Sequence, residues 1–149
     1  SGRGDIKEVK RFNKKFKFID ESYNANPLSM LSAIRNMKNY KIGKDSKKIV
    51  LLGDMLELGK KSKKYHKELS TVINNSDVDK VFVCGNYIKE TFRYLSRNKK
   101  GKVFSNFNEI PNYFNKIINN NDLLMIKGSN ATGMNKFSKN IKKGQIGAI

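Results

Sequence analysis

The sequence predicts an α/β fold: a Rossmann-like, open and mostly parallel sheet with helices on both faces. Three observations carry this. Strand-like and helix-like stretches alternate about five times along the chain. Three of the strand candidates, IVLL, VFVC and LLMI, are unbroken apolar runs, as expected of strands covered on both sides. The connections between elements are short, which suits helices that cross over a parallel sheet.

Each element follows from its own pattern. FKFI, residues 16–19, is a short strand. Pro27 to Asn39 reads as a helix, because Met30, Ala33, Ile34 and Met37 recur at i, i+3, i+4 and i+7. Asn26 suits its N-cap and Pro27 its first position. KKIVLLGD is a buried strand ending at Gly53. Ser62 to Asn74 is a second helix, with Tyr65, Leu69 and Val72 on its inward face. DKVFVCG is another buried strand, ending at Gly85, and Tyr87 to Ser96 a third helix. KVFS is a short strand. Asn108 to Asn119 is a fourth helix, with Ile110, Phe114 and Ile117 inward and Pro111 in its first turn. DLLMIKGS is the last strand, and Met134, Phe137 and Ile141 mark the last helix. The tail GQIGAI carries no clear pattern.

The chain's 149 residues suffice for one domain that buries about 70% of its unfolded surface. No apolar run approaches the roughly 18 residues of a membrane span. The opening SGRGDIKEVKRF lacks the apolar stretch of a secretory signal. The single cysteine, Cys84, can form no internal disulfide and sits in an apolar run, so it reads as a core residue of a cytoplasmic protein. The net charge is +18, from 31 basic and 13 acidic residues. Nucleic-acid binding, small-anion handling and a merely lysine-rich composition all produce such a balance. The lysines are scattered in ones and twos, and arginine, the usual base-reading cation, is scarce. The composition reading therefore stands first, and no nucleic-acid partner is expected.

Ligands of such sheets bind at the carboxyl ends of the strands. Here those ends read IDESYNANP, LLGDMLELG, FVCGNY and MIKGSNATG. Asp20 and Glu21 are placed to accept hydrogen bonds from ribose hydroxyls. Lys127, Gly128 and Ser129 could form an anion nest, with Lys127 as charge and Ser129 as hydroxyl donor. Singly, each of these residues is an ordinary turn or cap former; their grouping at successive strand tips favours a binding role. No GxxxxGK[ST] or GxGxxG loop occurs, nor a histidine pair or cysteine cluster for a metal. His66, the lone histidine, reads as a solvated or capping residue rather than a general base.

Three stretches resemble signatures of the Mur ligases, in the branch that joins D-alanyl-D-alanine to UDP-N-acetylmuramoyl-tripeptide. They are DESYNANPLSM, LLGDMLELG followed by His66, and MIKGSNATGM, in the family's order. SGRG at the start resembles the lead from the central into the carboxy-terminal domain. The resemblance implies a junction segment at 1–15, a carboxy-terminal domain at 16–143 and a tail at 144–149. It places the ATPase P-loop and the UDP-sugar site in domains upstream of residue 1. ATP and Mg²⁺ would be held mainly by the missing central domain, and the other domains would recognise the third residue of the tripeptide. The activity implied is ATP-dependent amide formation through an acyl phosphate in peptidoglycan precursor synthesis, by a cytoplasmic monomer. The fragment alone is expected to be inactive.

Residue by residue, Arg3 matches a nucleotide-contacting arginine at the domain junction. Asp20 and Glu21 match the acid pair that holds the ribose, and both stay candidates. Tyr23, Asn24 and Asn26 match the run beside the adenosine. Lys127, Gly128, Ser129 and Asn130 match the tip that faces D-alanyl-D-alanine, although Asn130 stands where the family often has arginine. Two alternatives remain: the last domain of another ATP-dependent amide ligase, folylpolyglutamate synthetase-like, and a basic nucleic-acid-binding module.

Overall fold

The computed structural model describes residues 5–129 and 133–146. In chain order its elements are β1 (Ile6–Arg11), β2 (Lys14–Glu21), α1 (Pro27–Asn36), β3 (Lys48–Leu52), α2 (Ser62–Asn74), β4 (Lys80–Cys84), α3 (Lys89–Arg93), β5 (Lys100–Phe104), α4 (Ile110–Ile117), β6 (Leu123–Lys127) and α5 (Met134–Lys142). The strands form one sheet in the order β1-β2-β6-β3-β4-β5. β1 is antiparallel to β2, and every other pairing is parallel. The expected α/β sheet is therefore the fold.

The pleat sorts each strand between two cores. On one face Ile19, Val50, Leu52, Val81, Val83 and Met125 pack under α1, α2 and α3. On the other, Phe16, Phe18, Leu51, Phe82, Phe104 and Ile126 pack under α4 and α5. All five residues of β3 and of β6 are buried, which is why their sequences show no alternation.

The capping chemistry of α1 is as expected. Asn26 accepts the Ser29 N–H at 2.8 Å, and Pro27 starts the helix. The α-helix ends at Asn36 and continues as a 3₁₀ turn over Met37–Asn39.

Four features differ from the sequence expectations. Ile6–Arg11, expected in a junction segment, is the antiparallel edge strand. A two-residue turn at Phe12 and Asn13, both at φ +57°, joins it to β2 as a hairpin. Past α5 the chain returns to β1: Lys10 N–H donates to Gly144 at 2.7 Å and Ile146 N–H to Glu8 at 2.9 Å. The inward stripe of α2 is His66, Leu69, Ser70 and Ile73, one residue further round than Tyr65 and Val72, which are only partly buried. The third helix is a short piece, Lys89–Arg93, and after α4 it is Ile118 rather than Ile117 that is buried. No described helix is long and apolar enough to cross a membrane.

Candidate functional site

The carboxyl ends of β2 and β6 open onto a groove of about 660 Å³ roofed by α1. β2 and β6 are neighbours in register, with Glu21 opposite Lys127. The parity of the pleat sends both side chains to the α1 side of the sheet, the side of Ile19 and Met125. Glu21, Tyr23, Asn24, Asn26 and Lys127, five residues singled out from sequence, all line this groove. Tyr23 is 55% exposed and Leu28, on the rim, 74%.

Lys127 forms the base of the groove and is 3% exposed. Its Nζ donates to the Asn24 carbonyl at 2.8 Å and lies 4.0 Å from Glu21 Oε1. Burial pulls the ammonium below its ordinary pKa, and the Glu21 charge pulls it back up. The lysine thus pins the β2–α1 loop and faces the carboxylate across the groove. It turns away from Gly128 and Ser129, its neighbours in the expected acceptor tip. Those two pack instead against β3. A Cβ at Gly128 would lie 2.7 Å from the Gly53 Cα, and Ser129 N–H donates to the Asp54 carbonyl at 2.9 Å.

Asp20 does not join the groove. It has the parity of Phe16 and Phe18 and points to the α5 side. It is 2% exposed, ion-paired to Lys142 at 2.5 Å, and it accepts the Ser22 hydroxyl at 2.5 Å and N–H at 3.0 Å. Burial would raise this carboxyl, but Lys142 and Ser22 overcome it and the net shift is downward. Of the two candidate acids, the fold consumes Asp20 and leaves Glu21 facing the groove.

Between β3 and β4 the polar groups are engaged within the fold. The Asp54 carboxylate accepts three backbone N–H groups, from Asn86 (3.1 Å), Tyr87 (2.9 Å) and Ile88 (2.8 Å), and so fastens the start of the α3 segment to β3. Gly85, at φ +152°, sits against it, where a Cβ would lie 2.4 Å from Asp54 Oδ1. His66, expected to be solvated or a cap, is wholly buried. Its Nε2 accepts the Met55 N–H at 3.1 Å, and its Nδ1 donates to the Ser62 carbonyl at 2.7 Å. Burial holds the imidazole pKa below its ordinary value. A neutral histidine with both nitrogens engaged ties the GDMLELG loop to α2; it has no lone pair left for a base.

Arg3 and Asn130 lie outside the described residues. Sequence reading missed the α1 wall of the groove, Leu28, Ser32 and Asn36. Their i, i+4, i+8 spacing on the face opposite the core stripe was the available signal. Among the described residues no cluster of three His, Cys, Asp or Glu is placed to hold a metal.

The family described as "Mur ligase, glutamate ligase domain" matches residues 3–130. A UDP-N-acetylmuramoyl-tripeptide–D-alanyl-D-alanine ligase of Buchnera aphidicola is 36% identical over 124 residues, covering 82% of this chain and 25% of the relative. The ligase of the same name from Rickettsia prowazekii is 31% identical over 136 residues, covering 91% and 29%. The chain thus spans between a quarter and a third of the length of these relatives. Among solved structures, a MurF ligase from Thermotoga maritima in complex with ADP superposes with a TM-score of 0.76 at 23% identity, over 96% of this chain and 31% of that one. That likeness concerns the fold.

Proposed function

The chain belongs to the Mur ligase family, and from that premise we propose that it is the carboxy-terminal domain of a ligase that adds D-alanyl-D-alanine to UDP-N-acetylmuramoyl-tripeptide. The observation that carries this reading is the groove at the β2 and β6 tips, which gathers Glu21, Tyr23, Asn24, Asn26 and Lys127 in one place. These residues suit one wall of a nucleotide site. The Glu21 carboxylate accepts from ribose hydroxyls, the exposed Tyr23 ring covers the base, and the Asn24 and Asn26 amides hydrogen-bond its edges. Arg3, which precedes β1 in the sequence, adds its charge to the nucleotide when the domains close. Asp20, by contrast, serves as an internal brace.

ATP with Mg²⁺, held mainly by a central domain, supplies the phosphoryl group that activates the tripeptide carboxylate. A carboxylate oxygen bonds to the γ-phosphorus and ADP leaves. The dipeptide amine then bonds to the acyl carbon, the C–O bond to phosphate breaks, and the amine gives up its proton. In this scheme the present chain contributes position and charge rather than a covalent step. Gly128 and Ser129, which follow β6, are assigned to the acceptor side of the site, and Asn130, the next residue of the same motif, is assigned with them. Lys127 belongs with the nucleotide wall, where it holds Glu21 and the β2–α1 loop.

The test is ATP-dependent phosphate release with the tripeptide and D-alanyl-D-alanine. The full-length ligase is expected to turn over and the 149-residue chain alone not to. Turnover by the chain alone, free of contaminating ligase, would overturn the division of labour. Glutamate used as acceptor in preference to the dipeptide would favour the folylpolyglutamate synthetase-like alternative.

A further inference from the structure

The peptide group between Asp54 and Met55 is held at both ends. Its C=O accepts the Ser129 N–H at 2.9 Å, and its N–H donates to His66 Nε2 at 3.1 Å. A peptide group is planar, so the two bonds are fixed together: what turns one turns the other. Across the ring, His66 Nδ1 donates to the Ser62 carbonyl at 2.7 Å. One line of hydrogen bonds thus runs from the first residue of α2, through the imidazole and the Asp54–Met55 peptide, to Ser129. Buried bonds in such a line polarise and strengthen one another.

Resting on the function proposed above, we infer that His66 is a positioning residue for the dipeptide side of the site: it sets the plane of the peptide group from which Ser129 hangs. The β6 tip is bound to that turn closely enough to follow it. Gly53 N–H donates to the Lys127 carbonyl at 2.8 Å, and a Cβ at Gly128 would lie 2.7 Å from the Gly53 Cα, so a shift of the turn carries Gly128 and Ser129 with it. The Asp54 side chain does not do this work, because its carboxylate takes the N–H groups of Asn86, Tyr87 and Ile88 and fixes the α3 segment instead. The ring also has the protonation that the line requires. Burial outweighs the nearby Asp54 and Glu90 charges and holds the imidazole neutral. With its proton on Nδ1, Nε2 keeps the lone pair that accepts the Met55 N–H.

The experiment uses the full-length ligase, with KM for D-alanyl-D-alanine, KM for ATP and the melting temperature measured at neutral pH. His66→Leu removes the acceptor for Met55. It is expected to raise KM for the dipeptide about fivefold or more and to leave KM for ATP within about twofold. His66→Asn, whose amide is too short to reach Met55, is expected to do the same and serves where the leucine variant fails to fold. His66→Gln carries an oxygen to the place of Nε2 and is expected to keep the dipeptide KM within about threefold of the unaltered enzyme. Leu69→Ala, on the same buried stripe of α2, loosens the helix without touching the line. It is expected to lower the melting temperature and leave the dipeptide KM within about twofold. A dipeptide KM unchanged in both the leucine and asparagine variants, or raised as much by Leu69→Ala, would overturn the inference and leave the ligase reading intact. A ligase that rejects the dipeptide before any substitution would overturn that reading itself.

Discussion

Two strand tips of this molecule carry polar motifs of similar richness and use them in opposite ways. At β3–β4, Asp54 is wrapped by three N–H groups and His66 has both ring nitrogens bonded inside the protein. At β2–β6, Glu21, Tyr23, Asn24 and Asn26 border an open groove. A buried polar group must find a partner at folding. The first tip has found its partners within the chain and is a clamp. The second spends only part of its capacity, on the Asn26 cap of α1 and on the Lys127 contacts with Asn24 and Glu21, and opens the rest onto the groove. A motif at a strand tip is therefore a ligand site to the extent that the fold leaves its hydrogen-bonding capacity unspent.

The sharpest way to break that comparison is at the clamp. Asp54→Ala strips the acceptor from three backbone N–H groups beside a 5% exposed carboxylate. It is expected to cost about 3–5 kcal/mol, read as a lowered urea midpoint. A loss below about 1 kcal/mol would mean that Asp54 is not the fastening described.

Asp20→Ala comes next, at about 2–4 kcal/mol, because it leaves Lys142 without its ion pair and the Ser22 N–H without its acceptor. In the full-length ligase its KM for ATP should change little. An ATP defect as large as that of a Glu21 variant would return Asp20 to the nucleotide site.

The third effect depends on pH. The folded His66 pKa lies below the unfolded value of about 6.5. The unfolded chain therefore binds the extra proton more readily. Stability is fully present above about pH 6.5 and is lost as pH falls from there through the folded pKa, by at most about 1.4 kcal/mol per pH unit. His66→Gln should flatten that part of the curve. A wild-type stability that rises as pH drops from 7 to 6 would contradict the buried neutral imidazole.

The clamp and the groove were unequally legible in the sequence. The apolar runs of β3, β4 and β6, the Asn26–Pro27 start of α1 and the stripe of α5 all declared themselves. Those signals are local, and the tertiary structure had only to agree with them. β1 did not: only Val9 of IKEVKR is buried, and an edge strand has little apolar pattern to show. His66 was misjudged because its partner, the Met55 N–H, lies in a loop that only the folded chain brings over α2. The choice between Asp20 and Glu21 was a matter of parity. The pleat sends them to opposite faces, and no local signal tells which helix covers which face. The groove residues drew attention through the resemblance of DESYNANP to a family signature.

Glu21→Ala tests the central claim most directly, with thermal melting and ATP kinetics measured on the same full-length protein. The ion-pair contact of Glu21 in the chain is the loose one with Lys127, at 4.0 Å, so the stability cost is expected to stay at about 1–2 kcal/mol, below that of Asp54→Ala. If the groove is a wall of the nucleotide site, kcat/KM for ATP should fall roughly tenfold to a hundredfold, as for the loss of one charge-assisted hydrogen bond. A melting temperature that drops by many degrees while ATP kinetics stay unchanged would contradict the account and make the β2–β6 tip a second clamp.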